Sequence, residues 1–314
     1  MKRVLIITMA IIMIFSLAGC TKPAAPTEPS PAPTQAQQTG NGDSGKIEIT
    51  DFKGRSIVLD KAPQRIVSLS PSNTEIVFAL GAEDKLVGVT SYCDYPEAAK
   101  SIEQVGTFDG PNMELIKKVQ PDVVLAGYIK EDAVKAMEDM GITVVVTEAE
   151  SFEAIYTSID IIGKITGKAD KAQEIITGMK DKIAEINEKN KDKSKPKVFY
   201  VVWTDPLTTA GSNTFINDVI KTAGGINVAE KAEGWAKYSA EQLLADNPEM
   251  IVAALHSTNS GISKDALAGS PIFSKLDCVK QGKVYVMSED NIISRPGPRI
   301  VQAIEEMEQI FYGE

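Results

Sequence analysis

Along most of this chain, short β-branched runs alternate with stretches of helical periodicity, and that rhythm restricts the fold more than any other feature. In the first half the sequence predicts strands over 65–69, 86–89, 122–126 and 143–146, separated by helices over 73–80, 114–119 and 133–140. The pattern returns later, with strands over 197–202, 250–255 and 283–287 and helices over 214–223, 240–246 and 298–312. Strands that alternate with helices pair in parallel, because each helix carries the chain back across the sheet. Between the halves, Ile155, Ile159, Ile162 and Ile165 recur at helical spacing, as do Ala172, Ile175, Ile176, Met179, Ile183 and Ile186. Gly163 and Gly167 are expected to divide this stretch into two helices. The second is long enough to reach ~34 Å, one domain diameter. The expected fold is α/β: two Rossmann-like lobes joined by a long backbone helix, with a ligand cleft between the lobes. So stiff a connector permits only small opening motions.

In both lobes a strand runs into a loop rich in Pro, Ser, Thr and Gly before the next helix, over 69–75 and again over 203–211. Ligands of open α/β sheets bind at the carboxyl ends of the strands, so both loops point at the cleft. The chain's sparse aromatics fall on such loops: Tyr92, Tyr95, Phe108, Tyr128, Trp203, Trp235 and Tyr238. Each is either a cleft-lining ring or a buried core aromatic. Asp290, Asn291 and Arg295 are expected in a loop before the last helix. There they can bond a polar ligand edge, although Arg295 is equally suited to hold a carbonyl or carboxylate of the protein itself.

The N-terminus sets the compartment. Lys2 and Arg3 precede an almost unbroken apolar run over 4–17, followed by Leu17, Ala18, Gly19 and Cys20. A basic start, an apolar run and a small-residue cleavage site make an export signal. The run is shorter than the roughly 20 residues that span a bilayer. The cysteine after the small pair resembles the lipobox of bacterial lipoproteins. That resemblance implies cleavage before Cys20, acylation of its thiol and a protein anchored on the extracytoplasmic face of the cell membrane. Residues 21–45 contain no large apolar side chain and five prolines, so they are expected to form a disordered, extended tether. The expected organisation is a signal peptide over 1–20, a tether over 21–45, a first lobe over 46–168, a connecting helix over 169–195 and a second lobe over 196–314.

A formal net charge of −10 argues against nucleic acid as a partner and against adsorption onto anionic lipid, which leaves anchoring to the lipid on Cys20. With Cys20 so used, Cys93 and Cys278 remain, either as a disulfide or as buried free thiols. His256 is the only histidine, which excludes a metal receptor built on several imidazoles. It reads as a loop residue or as an axial ligand to a bound metal complex. No nucleophile elbow, metal centre or phosphate loop is present, and Gly224-Gly225 reads as a turn, so no enzyme is expected.

The segments 65–96 and 105–126 closely resemble the opening of helical-backbone substrate-binding proteins of ABC importers, and 209–228, 238–252 and 294–300 resemble their second lobe. The ordered set covers nearly all of the mature domain. Within that family, the Tyr-x-Asp-Tyr-Pro element at 92–96 and the Arg-Pro-x-Pro-Arg element at 295–299 look most like the cobalamin (vitamin B12) binders. The resemblance implies capture of a corrinoid and delivery to a permease dimer with its ATPase, with ligand contacts from Tyr92, Phe108, Trp203 and Trp235. A corrinoid has an apolar macrocycle rimmed by amides, for which aromatic faces and scattered hydrogen-bonding groups are suited. Cys93 would then either ligate cobalt or pack beside the ring. The resemblance also implies one acidic docking residue per lobe, Glu75 in the first and Asp218, ahead of Glu230, in the second. Acids in a first helical turn also suit the helix dipole without any partner. A monomer is expected, with no cofactor beyond the carried ligand. The alternative cargo is a ferric siderophore or haem, for which Tyr92 or His256 offers an axial ligand. Against a siderophore, the arginines are few and scattered.

Overall fold

Strands that are apolar on both faces belong inside a parallel sheet with helices on either side, and two such sheets form. The computed structural model describes residues 45–107, 110–254 and 262–313. An antiparallel hairpin of β1 (Ile47–Thr50) and β2 (Ser56–Leu59) opens the body. The first lobe then alternates β3 (Ile66–Ser68), α1 (Pro71–Ala79), β4 (Leu86–Thr90), β5 (Gln104–Thr107), β6 (Gly110–Pro111), α2 (Met113–Val119), β7 (Val123–Ala126), α3 (Glu131–Asp139) and β8 (Thr143–Val146). Its strands lie in the order β6-β5-β4-β3-β7-β8, all parallel except β6. Two helices follow, α4 (Phe152–Thr166) and α5 (Ala169–Asn190).

The second lobe runs β9 (Lys197–Val201), β10 (Trp203–Thr204), β11 (Leu207–Ala210), α6 (Phe215–Thr222), β12 (Ile226–Asn227), β13 (Trp235–Lys237), α7 (Ala240–Asp246) and β14 (Met250–Ala253). It ends with α8 (Lys264–Gly269), α9 (Asp277–Lys280), β15 (Val284–Val286), α10 (Asp290–Ser294) and α11 (Ile300–Tyr312). Its main sheet is parallel in the order β12-β9-β14-β15, and β10, β11 and β13 form a separate antiparallel sheet. Polar side chains start the helices: Asn112 accepts the N–H groups of Glu114 and Leu115, Ser151 that of Ala154, and Thr214 that of Asn217. Each such cap contributes about 1 kcal/mol.

The helix pair joins the lobes by burial. α4 packs on α1, α5 packs on α11 and α6, and α4 and α5 pack on each other. One apolar cluster therefore runs from Ile66 and Ile76 through Ile159, Ile162 and Met179 to Val198, Ile220 and Ile304. Truncating one of these, Ile159→Ala for example, is expected to cost about 2–5 kcal/mol. The hairpin is pinned to the edge strand of the first sheet. Phe52 donates to the Val146 carbonyl at 3.0 Å, and the Asp51 carboxylate accepts the Val146 N–H at 3.2 Å and the Arg55 side chain at 3.0 Å.

Three local expectations are corrected. Gly163 does not end a helix; α4 continues through it and stops at Gly167, which has φ of +73°. What Gly163 provides is closeness, because a Cβ there would lie 2.5 Å from that of Ala172 on α5. The stretch 203–211 is not a loop but largely the β10–β11 hairpin. Asp290 and Asn291 open the short helix α10 rather than lying in a loop.

Candidate ligand cleft and the seam between the lobes

Parallel strands bring their carboxyl ends to one edge, and the expected binding residues follow those ends. Tyr92 and Tyr95 come after β4, Tyr128 after β7, and Trp203 after β9. Trp235 joins them by a different route, paired through β13 with Ala210 of β11. Large hydrophobic groups are normally withdrawn from water, yet Tyr92 is 53% exposed, Tyr128 83%, Trp203 41% and Trp235 44%. The Trp203 indole N–H is bonded locally to the Asp205 carbonyl at 2.9 Å, which leaves the ring as its exposed feature. Trp235 stands edge-on to Phe215 with centroids 5.5 Å apart. Tyr238 is different: its ring packs on the buried Phe199 at 5.2 Å and its hydroxyl donates to Asp246, so it serves the second-lobe core. Phe108, His256 and Cys20 lie outside the described residues.

The seam between the lobes is charged on one side. Glu75, on α1, is 4% exposed. Its carboxylate accepts from Arg299 Nε and Nη2, both at 2.8 Å, and from Arg295 Nη1 at 2.9 Å. Arg295 also donates Nη2 to the Tyr92 carbonyl at 3.2 Å and sits 2.7 Å from the Asp94 carboxylate. Arg299 reaches Glu289 at 2.7 Å, and its guanidinium lies 3.7 Å from the centre of the Tyr95 ring. Burial works against the Arg299 charge, but the bonds to Glu75 and Glu289 outweigh it and raise its pKa. Three carboxylates thus engage two guanidiniums. A cavity of about 280 Å³ beside the cluster is lined by Glu75, Phe78, Tyr95, Pro298 and Arg299 among others.

The other side of the seam is lighter. Trp235 donates its indole N–H to Glu150 at 3.5 Å, and Asp218 accepts the Phe152 N–H at the start of α4 at 3.2 Å. Burial raises the pKa of both carboxyls. For Glu150 the Trp235 bond opposes the shift and Glu148 adds to it; for Asp218 the Phe152 N–H and Lys221 oppose it.

These placements bear on the docking expectation. Glu75 does not stand on the surface, because its charge is buried and already satisfied by two arginines. Asp218 is half-buried and ties the lobes together. Glu230 pairs with Lys221 at 2.5 Å. Arg295 has protein partners of the kind one of its two expected roles requires. Asp290 and Asn291 are half-buried at the start of α10. Cys93 is buried, its sulfur 3.1 Å from Thr74 Oγ1 and 3.2 Å from Thr90 Oγ1, so it packs under the Tyr92 loop; Cys278 is buried too, and both are free thiols. Among the described residues no group of His, Cys, Asp and Glu could hold a metal ion, and no helix is long and apolar enough to cross a membrane. Sequence reasoning missed Glu150 and Arg299. Arg299 carried a signal, as the second arginine of the 295–299 element, whereas Glu150 carried none beyond its place after β8.

Residues 66–291 match the family model described as periplasmic binding protein. The chain is 35% identical over 305 residues to the uncharacterized ABC transporter substrate-binding lipoprotein YvrC of Bacillus subtilis (strain 168), covering 94% of this chain and 93% of that one. It is 37% identical over 196 residues to the vitamin B12-binding protein of Salmonella choleraesuis (strain SC-B67), covering 62% and 73%. A solved structure of a possible iron-binding (periplasmic solute-binding) protein from Staphylococcus epidermidis superimposes with a TM-score of 0.70 at 30% identity, covering 80% of this chain and 100% of that one.

Proposed function

This chain belongs to the periplasmic binding protein family, and we propose that the solute it carries is a corrinoid, captured outside the cytoplasm and passed to an ABC importer in the membrane. As a family member it is an extracytoplasmic solute-binding protein, not a catalyst. The observation that carries the corrinoid reading is the state of the two arginines at 295 and 299. Both are occupied by Glu75, Asp94 and Glu289, so neither guanidinium is spare for an anionic chelate. Exposed beside them are aromatic rings, Tyr92 and Tyr128 on loops and Trp203 and Trp235 on the antiparallel sheet. Flat aromatic faces beside arginines that are already engaged suit a macrocycle whose rim is amide rather than carboxylate. The similarity to a vitamin B12-binding protein agrees with this reading. Anchoring through lipid on Cys20 belongs to the same proposal. So does docking through Glu75 and Asp218, which would require basic groups of the permease to replace their present partners.

Calorimetric titration with cyanocobalamin, dicyanocobinamide and haemin tests it. Saturable one-to-one binding of a corrinoid at micromolar affinity or tighter is the expected result. Binding of haemin alone would overturn it. The second reading, an iron chelate or haem, is favoured by the similarity to a possible iron-binding protein, and the haemin arm decides it.

A further inference from the structure

The geometry points to Glu75 and Arg299 as positioning residues for ligand capture: through Arg295 they hold the loop after β4 in the conformation that presents Tyr92. This rests on the ligand reading above and adds two residues buried away from the exposed aromatic faces. The contacts form a continuous chain. Glu75 accepts from Arg299 twice, at 2.8 Å each, and from Arg295 at 2.9 Å. Arg295, so oriented, donates to the Tyr92 carbonyl at 3.2 Å and lies 2.7 Å from the Asp94 carboxylate. Arg299 completes the hold by lying 3.7 Å from the Tyr95 ring centre. Residues 92–95 of the first lobe are thus gripped by two arginines of the second, at a backbone carbonyl, at a carboxylate and at a ring.

The first lobe holds this loop at Ser91, whose N–H donates to the Gly106 carbonyl at 3.0 Å, and at Cys93, whose sulfur meets Thr74 and Thr90; the arginines add the hold from the second lobe. Residues 91–96 belong to no helix or strand, and their internal backbone bonds are short-range, such as Asp94 N–H to the Tyr92 carbonyl at 3.1 Å. An arginine is rotamer-rich, and a buried carboxylate that binds two guanidiniums removes that freedom before any ligand arrives. Ordering a loop in advance lowers the cost of binding. The Glu75 and Arg299 side chains are only 3% and 9% exposed, and their contacts with the loop run through Arg295 and through Tyr95.

The test uses the full chain, wild type against Arg299→Met, Arg299→Lys, Tyr92→Ala and the Arg299→Met/Tyr92→Ala double variant. Cyanocobalamin affinity is measured at a temperature where circular dichroism shows every variant folded. Arg299→Met is expected to weaken binding on the order of tenfold and Arg299→Lys by less. Little further loss is expected on the Tyr92→Ala background, because coupled residues are non-additive. Amide exchange over 91–95 should also accelerate in ligand-free Arg299→Met. Undiminished affinity in Arg299→Met, or losses that multiply in the double variant, would overturn the inference. If the wild type binds no corrinoid, the corrinoid reading falls, and exchange then decides the inference alone. Acceleration confined to 91–95 upholds it, and unchanged or uniform exchange overturns it.

Discussion

Trp235 donates its indole N–H to Glu150 across the seam between the lobes, over 3.5 Å. The second oxygen of that carboxyl is buried without a hydrogen-bond partner, and burial raises the carboxyl pKa. A folded-state acid with a raised pKa holds its proton more tightly than the unfolded chain does. Stability is therefore lost as pH rises from the ordinary Glu value through the raised one. Glu150→Gln keeps an acceptor for Trp235 and removes the titration. The expected outcome is a urea midpoint for the variant that exceeds the wild type by a margin growing with pH across that window. A constant margin would show that Glu150 does not titrate there.

Removing the Glu75 carboxylate leaves Arg295 and Arg299 buried beside one another. Breaking one member of a buried ion cluster typically costs about 3–5 kcal/mol, and here the two guanidiniums would lose the buried carboxylate they share and keep only the more exposed Asp94 and Glu289. Glu75→Ala should lose stability on that scale in denaturant unfolding. Exposed pairs such as Lys100–Glu97 should contribute less than about 1 kcal/mol when broken.

Both tryptophans are exposed and lie on the antiparallel sheet of the second lobe. On the corrinoid reading proposed above the ligand would cover them, so intrinsic fluorescence should fall on titration with cyanocobalamin. Trp203→Phe and Trp235→Phe should each remove part of the quenched signal; Trp203→Phe should leave stability within about 1 kcal/mol of wild type, as surface positions usually do, whereas Trp235→Phe also removes the donor to Glu150. A titration in which neither variant changes the quenching would place the ligand elsewhere.

Cys93 and Cys278 are buried free thiols, and burial raises the Cys278 pKa. A thiol-specific reagent should leave both unmodified in the native protein and label both once it is unfolded. Reductant should not move the unfolding midpoint. A shift on reduction would mean that the two are bridged.

The two-lobed α/β fold could be read from the chain because it depends on local periodicity. The β-branched runs at 143–146 and 240–246's helical spacing match β8 and α7 to the residue, and the isoleucines of 155–165 mark the buried face of α4. The places of Tyr92 and Tyr128 could be read for the same reason, since both follow strands of a parallel sheet; those of Trp203 and Trp235, on an antiparallel sheet, could not. Short-range patterns did not show partners far apart in sequence. The β10–β11–β13 sheet needs Trp235 to find Ala210, and Gly163 marks a close approach to Ala172 rather than a break.

Charge is where the two levels part. Residue order establishes that Glu75 is an acid in the first helix and that arginines stand at 295 and 299, and that much is compatible with a surface docking site. Only the tertiary structure brings those groups together across the lobes. Coulomb attraction and desolvation depend on distance and burial, and neither quantity is a property of a residue's neighbours in the chain.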